Sequence, residues 1–326
     1  MKYFVTGATG FVGGYLVREL RAAGHEVRCL VRDPNNASEL ARLGVSLHRG
    51  DVTDKASMRE PMSGVDGVFH VAAWYKIGVR DQSPAAPTNI GGTRNVLELM
   101  RELSIPKGVY TSTLAVNSDT HGQLVNESYH FKGVHLTEYD RTKSEAHQLA
   151  EKMISEGLPL VIVMPGLIYG PGDTSTVRTM LLQFMKRLLP MVPRETAFSW
   201  AHVEDIARTH LLAMETARVG EKYIICGPTH TLAEGFKVAA GLLGRRAPFA
   251  APSGLFRTMV APMRLIERFI PVPATYSSDA MQVSGGVTHI GDNAKARAEL
   301  GYAPRALSIG LAETLAHEKR LLGKAS

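Results

Sequence analysis

Tyr139 and Lys143 are two side chains whose types and spacing could do acid–base chemistry. They are four residues apart in a stretch with helical periodicity, so they share one face of the predicted helix. A phenol titrates at about pH 10, and an ammonium group beside it stabilises the phenolate and lowers that pKa. The pair therefore predicts a proton-transfer site, although a Y-x-x-x-K spacing taken alone is also found on ordinary helix faces.

The stretch VTGATGFVGGYL places three glycines three residues apart, at Gly7, Gly10 and Gly13. It follows an apolar strand pattern and opens a helical one. The first N–H groups of a helix are unpaired and attract anions, and a pyrophosphate can approach them only where no Cβ intervenes. The spacing differs from the G-x-G-x-x-G of the usual dinucleotide fingerprint. The turn predicts a dinucleotide site, and a glycine-rich turn without a ligand is the alternative.

Composition narrows the function classes. The chain has 326 residues, 44% of them apolar, a formal charge of +6 and two cysteines. Two cysteines cannot form a disulfide framework, and the amino-terminal residues show no targeting pattern, so a cytoplasmic location is expected. The positive charge is dispersed rather than clustered, which argues against nucleic acid as a partner. No apolar run reaches the roughly 20 residues of a membrane-spanning helix.

The elements that must position these residues alternate between strand and helix. Short runs rich in Val, Ile, Phe and Tyr predict strands at residues 2–6, 26–31, 67–71, 108–111 and 160–164, with a weaker one at 45–48. Helical spacing of apolar residues predicts helices at 11–23, 56–62, 90–103 and 137–155. This alternation predicts an α/β fold with a doubly wound parallel sheet, a Rossmann domain, whose ligand lies beyond the carboxyl ends of the strands.

The pattern loosens after residue 164. A helix is predicted at 177–189, a strand–helix piece near 198–216 and a sheet strand at 223–226, and the rest reads as mostly helical with proline breaks. We expect a dinucleotide-binding Rossmann domain at 1–165, with a returning piece near 198–226. The smaller substrate-binding domain, 166–326, would be mostly helical and partly interleaved with it.

Eight segments in order resemble the extended short-chain dehydrogenase/reductase family, within the NAD(P)-dependent epimerase/dehydratase superfamily. After TGATGFVGGYL come GDVTD, HVAA, NIGGTRNV, YTST, YDRTK, PGLIYGPGD, HVEDIA and DNAKARAELGYAP. The resemblance covers the whole chain. VRDPNN and PGLIYGPGD are most similar to the dihydroflavonol reductase-like and hydroxysteroid dehydrogenase-like members.

The resemblance implies roles for particular residues. Tyr139 would be the general acid/base, Lys143 would also hold the nicotinamide ribose, and Thr113, with Ser112 as the neighbouring candidate, would polarise the substrate oxygen. The implied cofactor-binding residues are Gly7, Thr9, Gly10, Phe11, Val12, Gly13, Arg32, Asp51, Val52, Ala72, Ala73, Lys143 and Pro165. The implied substrate-lining residues are Trp74, Tyr75, Asn89, Ile168 and Tyr169, with core packing as the alternative for the aromatic and apolar ones.

The end of the second predicted strand bears on the choice of cofactor. An acidic residue there accepts hydrogen bonds from the ribose hydroxyls of NAD, whereas an arginine pairs with the 2′-phosphate of NADP. Arg32 occupies this position and Asp33 follows it. The sequence therefore predicts NADP, with NAD as the alternative.

Of four further polar residues, two allow two interpretations each. Asp51 resembles the family's adenine contact or caps a turn, and Asn89 resembles its active-site asparagine or caps helix 90–103. His70 is expected to be structural. His202 belongs to HVEDIA, whose acidic residues are expected to cap the next helix. No metal site is predicted, because His202 and His210 lack a convincing set of partners.

The predicted function is NADPH-dependent reduction of a ketone or aldehyde on a small, fairly apolar substrate. Leu114-Ala115 stands where dehydratases of the family carry Asp-Glu, and Leu167 stands where nucleotide-sugar epimerases often carry asparagine. A nucleotide-sugar epimerase with tightly bound NAD(P) and a non-catalytic NADP-binding regulator are the alternatives. By resemblance, a homodimer would form through helices 90–103 and 137–155.

Residues 253–273 combine an apolar stripe with a row of arginines at helical spacing. The simpler interpretation is a helix that covers the substrate pocket. A membrane-surface helix that delivers a lipophilic substrate is the alternative.

Overall fold

The runs rich in β-branched and aromatic residues form the strands of the protein. The computed structural model describes residues 1–76, 78–270, 272 and 276–324. Its strands are β1 (Lys2–Thr6), β2 (Glu26–Val31), β3 (Ser46–Arg49), β4 (Gly67–His70), β5 (Gly108–Thr111), β6 (Leu160–Pro165), β7 (Leu167–Tyr169), β8 (Met191–Pro193), β9 (Ala197–His202), β10 (Lys222–Ile225), β11 (Thr229–Thr231), β12 (Phe249–Ala251) and β13 (Thr288–His289).

Twelve α-helices are present in the described residues. They are α1 (Phe11–Ala22), α2 (Ser38–Arg42), α3 (Lys55–Met62), α4 (Thr93–Glu102), α5 (Glu138–Ser155), α6 (Thr176–Met185), α7 (Val203–Thr216), α8 (Leu232–Leu243), α9 (Ser253–Ile266), α10 (Ser278–Val283), α11 (Ala294–Leu300) and α12 (Leu307–Lys324). None of these helices has both the length and the apolar character needed to cross a bilayer.

The main sheet has seven strands in the order β10-β6-β5-β4-β1-β2-β3, and every pairing in it is parallel. After β3 the chain returns to the other side of β1, where β4 pairs with Phe4 opposite Val68. This reversal opens a crevice beyond the carboxyl ends of β1 and β4, where doubly wound folds bind their ligands. The predicted α/β fold with a doubly wound parallel sheet is confirmed.

Apolar side chains fill both faces of this sheet. One cluster joins α1 and α7 to the sheet and includes Leu16, Val161 and Ile206, all fully buried. The opposite cluster lies under α3, α4 and α5 and includes Phe4 and Ile162. Neighbouring residues of one strand thus point to opposite cores, which explains why these strands read as continuous apolar runs.

The residues after 165 contain two small sheets that the sequence patterns did not predict. β9 pairs with β7 and β13 in parallel and with β11 antiparallel, and β8 pairs with β12. A third apolar cluster, centred on Trp200 and Phe236, packs these strands against α6, α8 and α12. Of the predicted returning piece near 198–226, β10 joins the main sheet and β9 does not. The division into two domains at residue 165 stays a prediction.

Candidate active site

The turn after β1 leaves the amino end of α1 open. Gly7 has a φ of +71°, and a Cβ added there would lie 2.6 Å from the backbone nitrogen of Ala72. A Cβ on Gly13 would lie 2.1 Å from the Gly7 carbonyl oxygen, so glycine is needed for the helix to pack against the turn. Gly10 is the N-cap of α1, and it provides no side-chain cap. The first N–H groups of α1 therefore remain available to an anion such as a pyrophosphate.

Three neighbours of these glycines were also expected to hold the cofactor. Thr9 is exposed, so its hydroxyl is accessible at the turn. Phe11 and Val12 are half-buried: the Phe11 ring meets Tyr15 edge-on at 6.0 Å between centroids, and Val12 packs against the sheet core. The roles of all three residues toward the cofactor stay predictions.

The end of β2 presents a free guanidinium. Arg32 is exposed and forms no hydrogen bond or ion pair with any residue that the structure describes. The carboxylate of Asp33 instead accepts hydrogen bonds from the Asn35 backbone at 3.0 Å and the Asn36 side chain at 2.8 Å. Because the acid is occupied by its own turn, the cationic side chain is the one available to a ligand beside the crevice.

Asp51 caps a turn, which is one of the two roles that the sequence allowed for it. Its Oδ1 accepts hydrogen bonds from the Thr53 backbone at 2.9 Å and the Thr53 hydroxyl at 2.7 Å, and Asp54 rather than Asp51 caps α3. Val52 is buried beneath Gly92. Contacts of Asp51 and Val52 with an adenine stay predictions.

A chain of hydrogen bonds fixes the backbone that follows β4. The Thr6 hydroxyl accepts from the backbone nitrogens of Val71 and Ala72, both at 3.2 Å, and bonds His70 Nδ1 at 2.8 Å. His70 Nε2 bonds the Thr93 hydroxyl at 3.0 Å. The pKa of His70 is lowered to about 3, mainly by burial and to a smaller extent by the charge of the nearby Lys143. His70 is therefore a neutral structural residue, and it holds Ala72 against Gly7.

Asn89 clamps the segment that carries Trp74. Its Oδ1 accepts from the Trp74 backbone nitrogen at 2.8 Å, and its Nδ2 donates to the Trp74 carbonyl at 3.0 Å and to the Thr142 hydroxyl at 2.9 Å. The amide is buried in a π-helical turn, Pro87–Gly92, and α4 begins only at Thr93. The helix-capping interpretation of Asn89 is therefore wrong: the side chain joins the Trp74 segment to α5.

Thr113 and Tyr139 meet at the carboxyl end of β5. The Thr113 side chain lies close enough to Tyr139 to lower the pKa of its phenol, and both residues are half-buried rather than buried. Thr113 also accepts a hydrogen bond from the Ala115 backbone at 3.1 Å, which fixes its rotamer. Burial raises the pKa of Tyr139 to about 12, although the nearby Thr113 side chain acts in the opposite direction. The phenol therefore keeps its proton at neutral pH.

Lys143 does not lower the pKa of Tyr139 in this structure, which corrects the expectation from the spacing of the two residues. The Lys143 ammonium donates to the Tyr110 hydroxyl at 3.0 Å and to the Thr111 carbonyl at 2.9 Å. It is fully buried, and burial lowers its own pKa to about 7. The four-residue spacing placed both residues on one helix face, but the long lysine side chain reaches past the phenol to β5.

Ser112 is bound elsewhere. Its hydroxyl is buried and lies 2.8 Å from Nδ1 of His147, on the next turn of α5 after Lys143. Thr113 is therefore the hydroxyl that faces Tyr139, and Ser112 links β5 to α5.

The expected substrate-lining residues separate into two groups. Trp74 is half-buried, and the exposed Tyr75 bonds the Thr174 hydroxyl at 2.7 Å, which joins the segment after β4 to the loop after β7. Tyr169 is buried, with its ring edge-on to Trp200 at 5.6 Å, so the core-packing alternative holds for Tyr169. Ile168 is half-buried and packs against the core of the main sheet.

Packing positions Pro165, and charge positions the acidic pair of HVEDIA. Pro165 is buried at the end of β6, opposite Ile225. Glu204 and Asp205 lie in the first turn of α7, whose N-cap position, His202, has no side-chain capping hydrogen bond. Both carboxylates accept hydrogen bonds from Arg305 instead. The expected capping role of these acids is replaced by an ion pair with the chain before α12.

The fully buried ring of His202 lies against the carboxylates of Glu204 and Glu313, at 4.0 Å and 3.4 Å. These three groups are close enough to share a cation. However, the Arg305 guanidinium donates to both carboxylates and already supplies the positive charge. At His210 both ring nitrogens are used, by Thr111 at 2.8 Å and by the Ile206 carbonyl at 2.8 Å.

Two residues of the site were not singled out from the sequence. Tyr110 accepts the hydrogen bond from Lys143. Its position at the start of YTST, directly before Thr111, could have indicated that it belongs to the site. Asp140 follows Tyr139 and is buried, and its Oδ2 has no hydrogen-bond partner among the described residues. Burial raises the pKa of Asp140 to about 7. No sequence pattern indicated that Asp140 is buried, because the start of α5 is rich in charged residues and is typical of a solvent-exposed helix end.

Comparison with known families decides the relationship. The profile of the NAD dependent epimerase/dehydratase family matches residues 3–226. The chain belongs to this family. Its relatives include a putative dihydroflavonol 4-reductase of Synechocystis, 35% identical over 231 residues, covering 68% of this chain and 67% of the relative, and these reductases together with the family support an NAD(P)-dependent oxidoreductase.

Individual relatives of this family member cover nearly its whole length. It is 31% identical over 326 residues to sterol demethylase protein B of Methylococcus capsulatus, covering 97% of this chain and 98% of the relative. It is 30% identical over 329 residues to 4-hydroxy-2-methyl-3-oxo-4-farnesyl-3,4-dihydroquinoline-1-oxide ketoreductase of Stigmatella aurantiaca, covering 94% and 92%. A solved UDP-glucose 4-epimerase of Thermotoga maritima shares the fold at 22% identity, with a TM-score of 0.79 over 99% of this chain and 100% of that one.

Proposed function

We propose that this family member is an NADPH-dependent reductase of a ketone or aldehyde carbonyl on a fairly apolar substrate, with Tyr139 as the general acid. The observation that carries the proposal is the proximity of the Thr113 and Tyr139 side chains at the carboxyl end of β5, where Thr113 lowers the pKa of the phenol. Both residues are half-buried, whereas Ser112 and Tyr110 beside them are buried and already bonded. Two neighbouring hydroxyl groups at the mouth of the crevice suit the recognition of one carbonyl oxygen.

The residues around the crevice fit a nicotinamide dinucleotide. A Cβ at Gly7 would fill the space beside Ala72, and the open amino end of α1 suits a pyrophosphate. The unpaired guanidinium of Arg32 suits the 2′-phosphate that distinguishes NADPH from NADH. These three features support NADPH as the cofactor.

The chemistry assigned to the chain is a proton transfer. Bound NADPH supplies the hydride. The Tyr139 hydroxyl donates its proton to the carbonyl oxygen as negative charge develops there, and the Thr113 hydroxyl donates a hydrogen bond to the same oxygen. Burial keeps the Tyr139 proton in place until that moment. Lys143 holds Tyr110 and the β5 backbone in position behind the phenol.

An apolar substrate is supported by the lining and by the relatives. Trp74 is held at the crevice by Asn89, and Leu167 stands where sugar-nucleotide epimerases often carry a polar side chain. The names of the two relatives that match nearly the whole chain refer to a sterol and to a farnesyl group, and the second relative is called a ketoreductase. An apolar ketone is the substrate class that these features share.

The test is to incubate the protein with NADPH and a panel of ketones and aldehydes of increasing apolar size, and to follow the loss of reduced cofactor. We expect net consumption, and Tyr139→Phe should lower the turnover rate roughly 10²–10⁴-fold while NADPH binding is unchanged. Tyr223→Phe, which removes a phenol bonded to Glu299 at the sheet edge, is the matched control.

Two outcomes would contradict the proposal. Interconversion of UDP-sugars without net cofactor consumption would establish the epimerase alternative. NADPH binding without turnover of any carbonyl or sugar nucleotide would establish the non-catalytic regulator.

A further inference from the structure

The helix α9 carries an unusually exposed apolar surface. All fourteen of its residues are described by the structure, and only Ser253 is buried. Eight of the eighteen exposed large apolar side chains in the described chain lie between residues 249 and 276. They form what we call the α9 patch: Phe249, Leu255, Met259, Leu265, Ile266, Phe269, Ile270 and Tyr276. A cluster of this kind marks an interaction site on a protein surface.

The residues on the other sides of α9 account for its contacts with the protein. Half-buried Val260 and Met263 face the body of the molecule, and α9 packs against α10. Phe269 and Ile270 follow the last turn of the helix and are 79% and 60% exposed. The residues of the α9 patch are therefore not buried in the monomer, and they point away from the protein.

The charge around the α9 patch is strongly positive. Residues 245–276 contain five arginines and one acidic residue, Glu267. The Glu267 carboxylate accepts from the Ser278 backbone at 2.6 Å and from its hydroxyl at 2.7 Å. Arg257 donates to the Gly285 carbonyl and Arg264 to Gln282, and none of the five arginines forms an ion pair within the part of the chain that the structure describes. Their charges remain available to an anionic partner.

We propose that the α9 patch docks on the surface of a lipid bilayer that contains anionic lipids. Exposed aliphatic and aromatic side chains, with a second row of arginines on the same segment whose long side chains can reach phosphate, match the acyl and headgroup layers of such a surface. A second copy of the chain fits less well, because a symmetric contact would bring two positively charged patches together. Single-stranded nucleic acid prefers stacking aromatics to the Leu, Ile and Met that dominate here.

The helix that packs against α9 is bonded to the segment that leads from Trp74 to Asn89. α10, which packs against α9, carries Asp279, and the Gln82 side chain donates to Asp279 at 3.1 Å. Gln82 belongs to the connection between Trp74 and Asn89. A protein docked through α9 would therefore hold the segment between Trp74 and Asn89 near the bilayer, where an apolar ketone would be dissolved. Only this delivery step rests on the proposed function; the docking itself does not.

Vesicle flotation of the full chain tests the docking. We expect it to float with phosphatidylcholine vesicles that contain about 30% phosphatidylglycerol, and to float less with pure phosphatidylcholine or at high salt. Leu265→Glu with Phe269→Glu should lower the floated fraction at least tenfold. Arg268→Gln should weaken binding to the anionic vesicles about fivefold, the value of one basic residue near such a surface.

The matched control is Ile309→Glu with Leu321→Glu, which adds the same two charges at exposed apolar positions of α12 and should float like the unchanged protein. NADPH titration of each variant confirms that it is folded, so docking and catalysis are read separately. Failure of the unchanged protein to float would overturn the docking. Equal flotation of the Leu265/Phe269 variant would also overturn it, as would sedimentation as a dimer that this variant dissociates.

Discussion

Burial holds the proton on Tyr139 and tends to remove one from Lys143. The phenol has a pKa raised to about 12 and the ammonium one lowered to about 7, and each shift is caused mainly by loss of water around the charged form. The spacing of the two residues predicted that they share a helix face. It could not predict that the ammonium would bind Tyr110 and Thr111, because a four-carbon side chain reaches many acceptors from the same Cα position.

Asp140 should make the stability of the protein depend on pH. Its folded-state pKa is raised to about 7 from 3.8, so the folded protein is stabilised below pH 4 relative to higher pH, and this contribution is lost as the pH rises toward 7. Asp140→Asn removes the buried charge. We expect the variant to be more stable than the unchanged protein by about 1–3 kcal/mol at pH 8, with little difference near pH 4.

Urea unfolding at both pH values measures this difference. Glu39→Gln, which neutralises an exposed acid, is the control and should leave the stability unchanged at pH 8. If Asp140→Asn were destabilising at pH 8, the carboxylate would have a favourable partner and the raised pKa would be wrong.

At the scale of elements, the regular pattern of the first 165 residues was sufficient to place β1, β2, β4, β5 and β6. Each is a run of four to six mostly apolar residues between glycine or polar turns, which is typical of parallel strands covered on both faces. The start of α4 was not predictable from the same pattern. The buried amide of Asn89 binds the Trp74 backbone, and a π-helical turn, Pro87–Gly92, precedes the regular helix.

Arg32→Asp should change the cofactor preference through the end of β2. Loss of a charge-assisted contact with the 2′-phosphate, worth about 1.5–3 kcal/mol, should weaken NADPH binding about 10–100-fold and NADH binding much less. Fluorescence titration with both cofactors gives the ratio. Arg42→Asp makes the same charge change on the exposed face of the nearby α2 and should leave the ratio as it is. An unchanged ratio in Arg32→Asp would place the phosphate contact on another residue.

The whole molecule depends on contacts between segments that are far apart in sequence. Thr120, after β5, bonds the Thr288 carbonyl of β13 at 2.9 Å, and Arg305 joins the chain before α12 to Asp205 on α7. The strands β7, β8, β11 and β13 have only two or three residues each. Segments so short have no periodicity of their own, and long-range pairing decides their structure, so the small sheets could not be read from local patterns.

Arg178 and Glu318 connect α6 to α12 through a two-pronged ion pair. The Arg178 guanidinium donates to the two Glu318 oxygens at 2.6 Å and 3.0 Å, and the Glu318 side chain is only 1% exposed. Arg178→Ala would leave a buried carboxylate without its partner, and we expect the free energy of unfolding to fall by about 3 kcal/mol. Urea denaturation measures this change.

The double variant Arg178→Met with Glu318→Met separates the ion pair from the packing. Because paired apolar side chains of similar volume can replace a buried ion pair, it should recover most of the lost stability. A double variant that is as unstable as Arg178→Ala would mean that the charges themselves stabilise the contact.

The position of β10 at the outside of the main sheet has a consequence for the synthesis of this protein. β10 covers β6, yet the ribosome makes it only after residues 166–221. During that interval the nascent chain has a strand edge of six residues, all of which are buried in the finished protein. An apolar strand edge of this kind is a template for pairing with other chains. Protection by a chaperone is therefore most useful to this protein before its residue 222 has emerged.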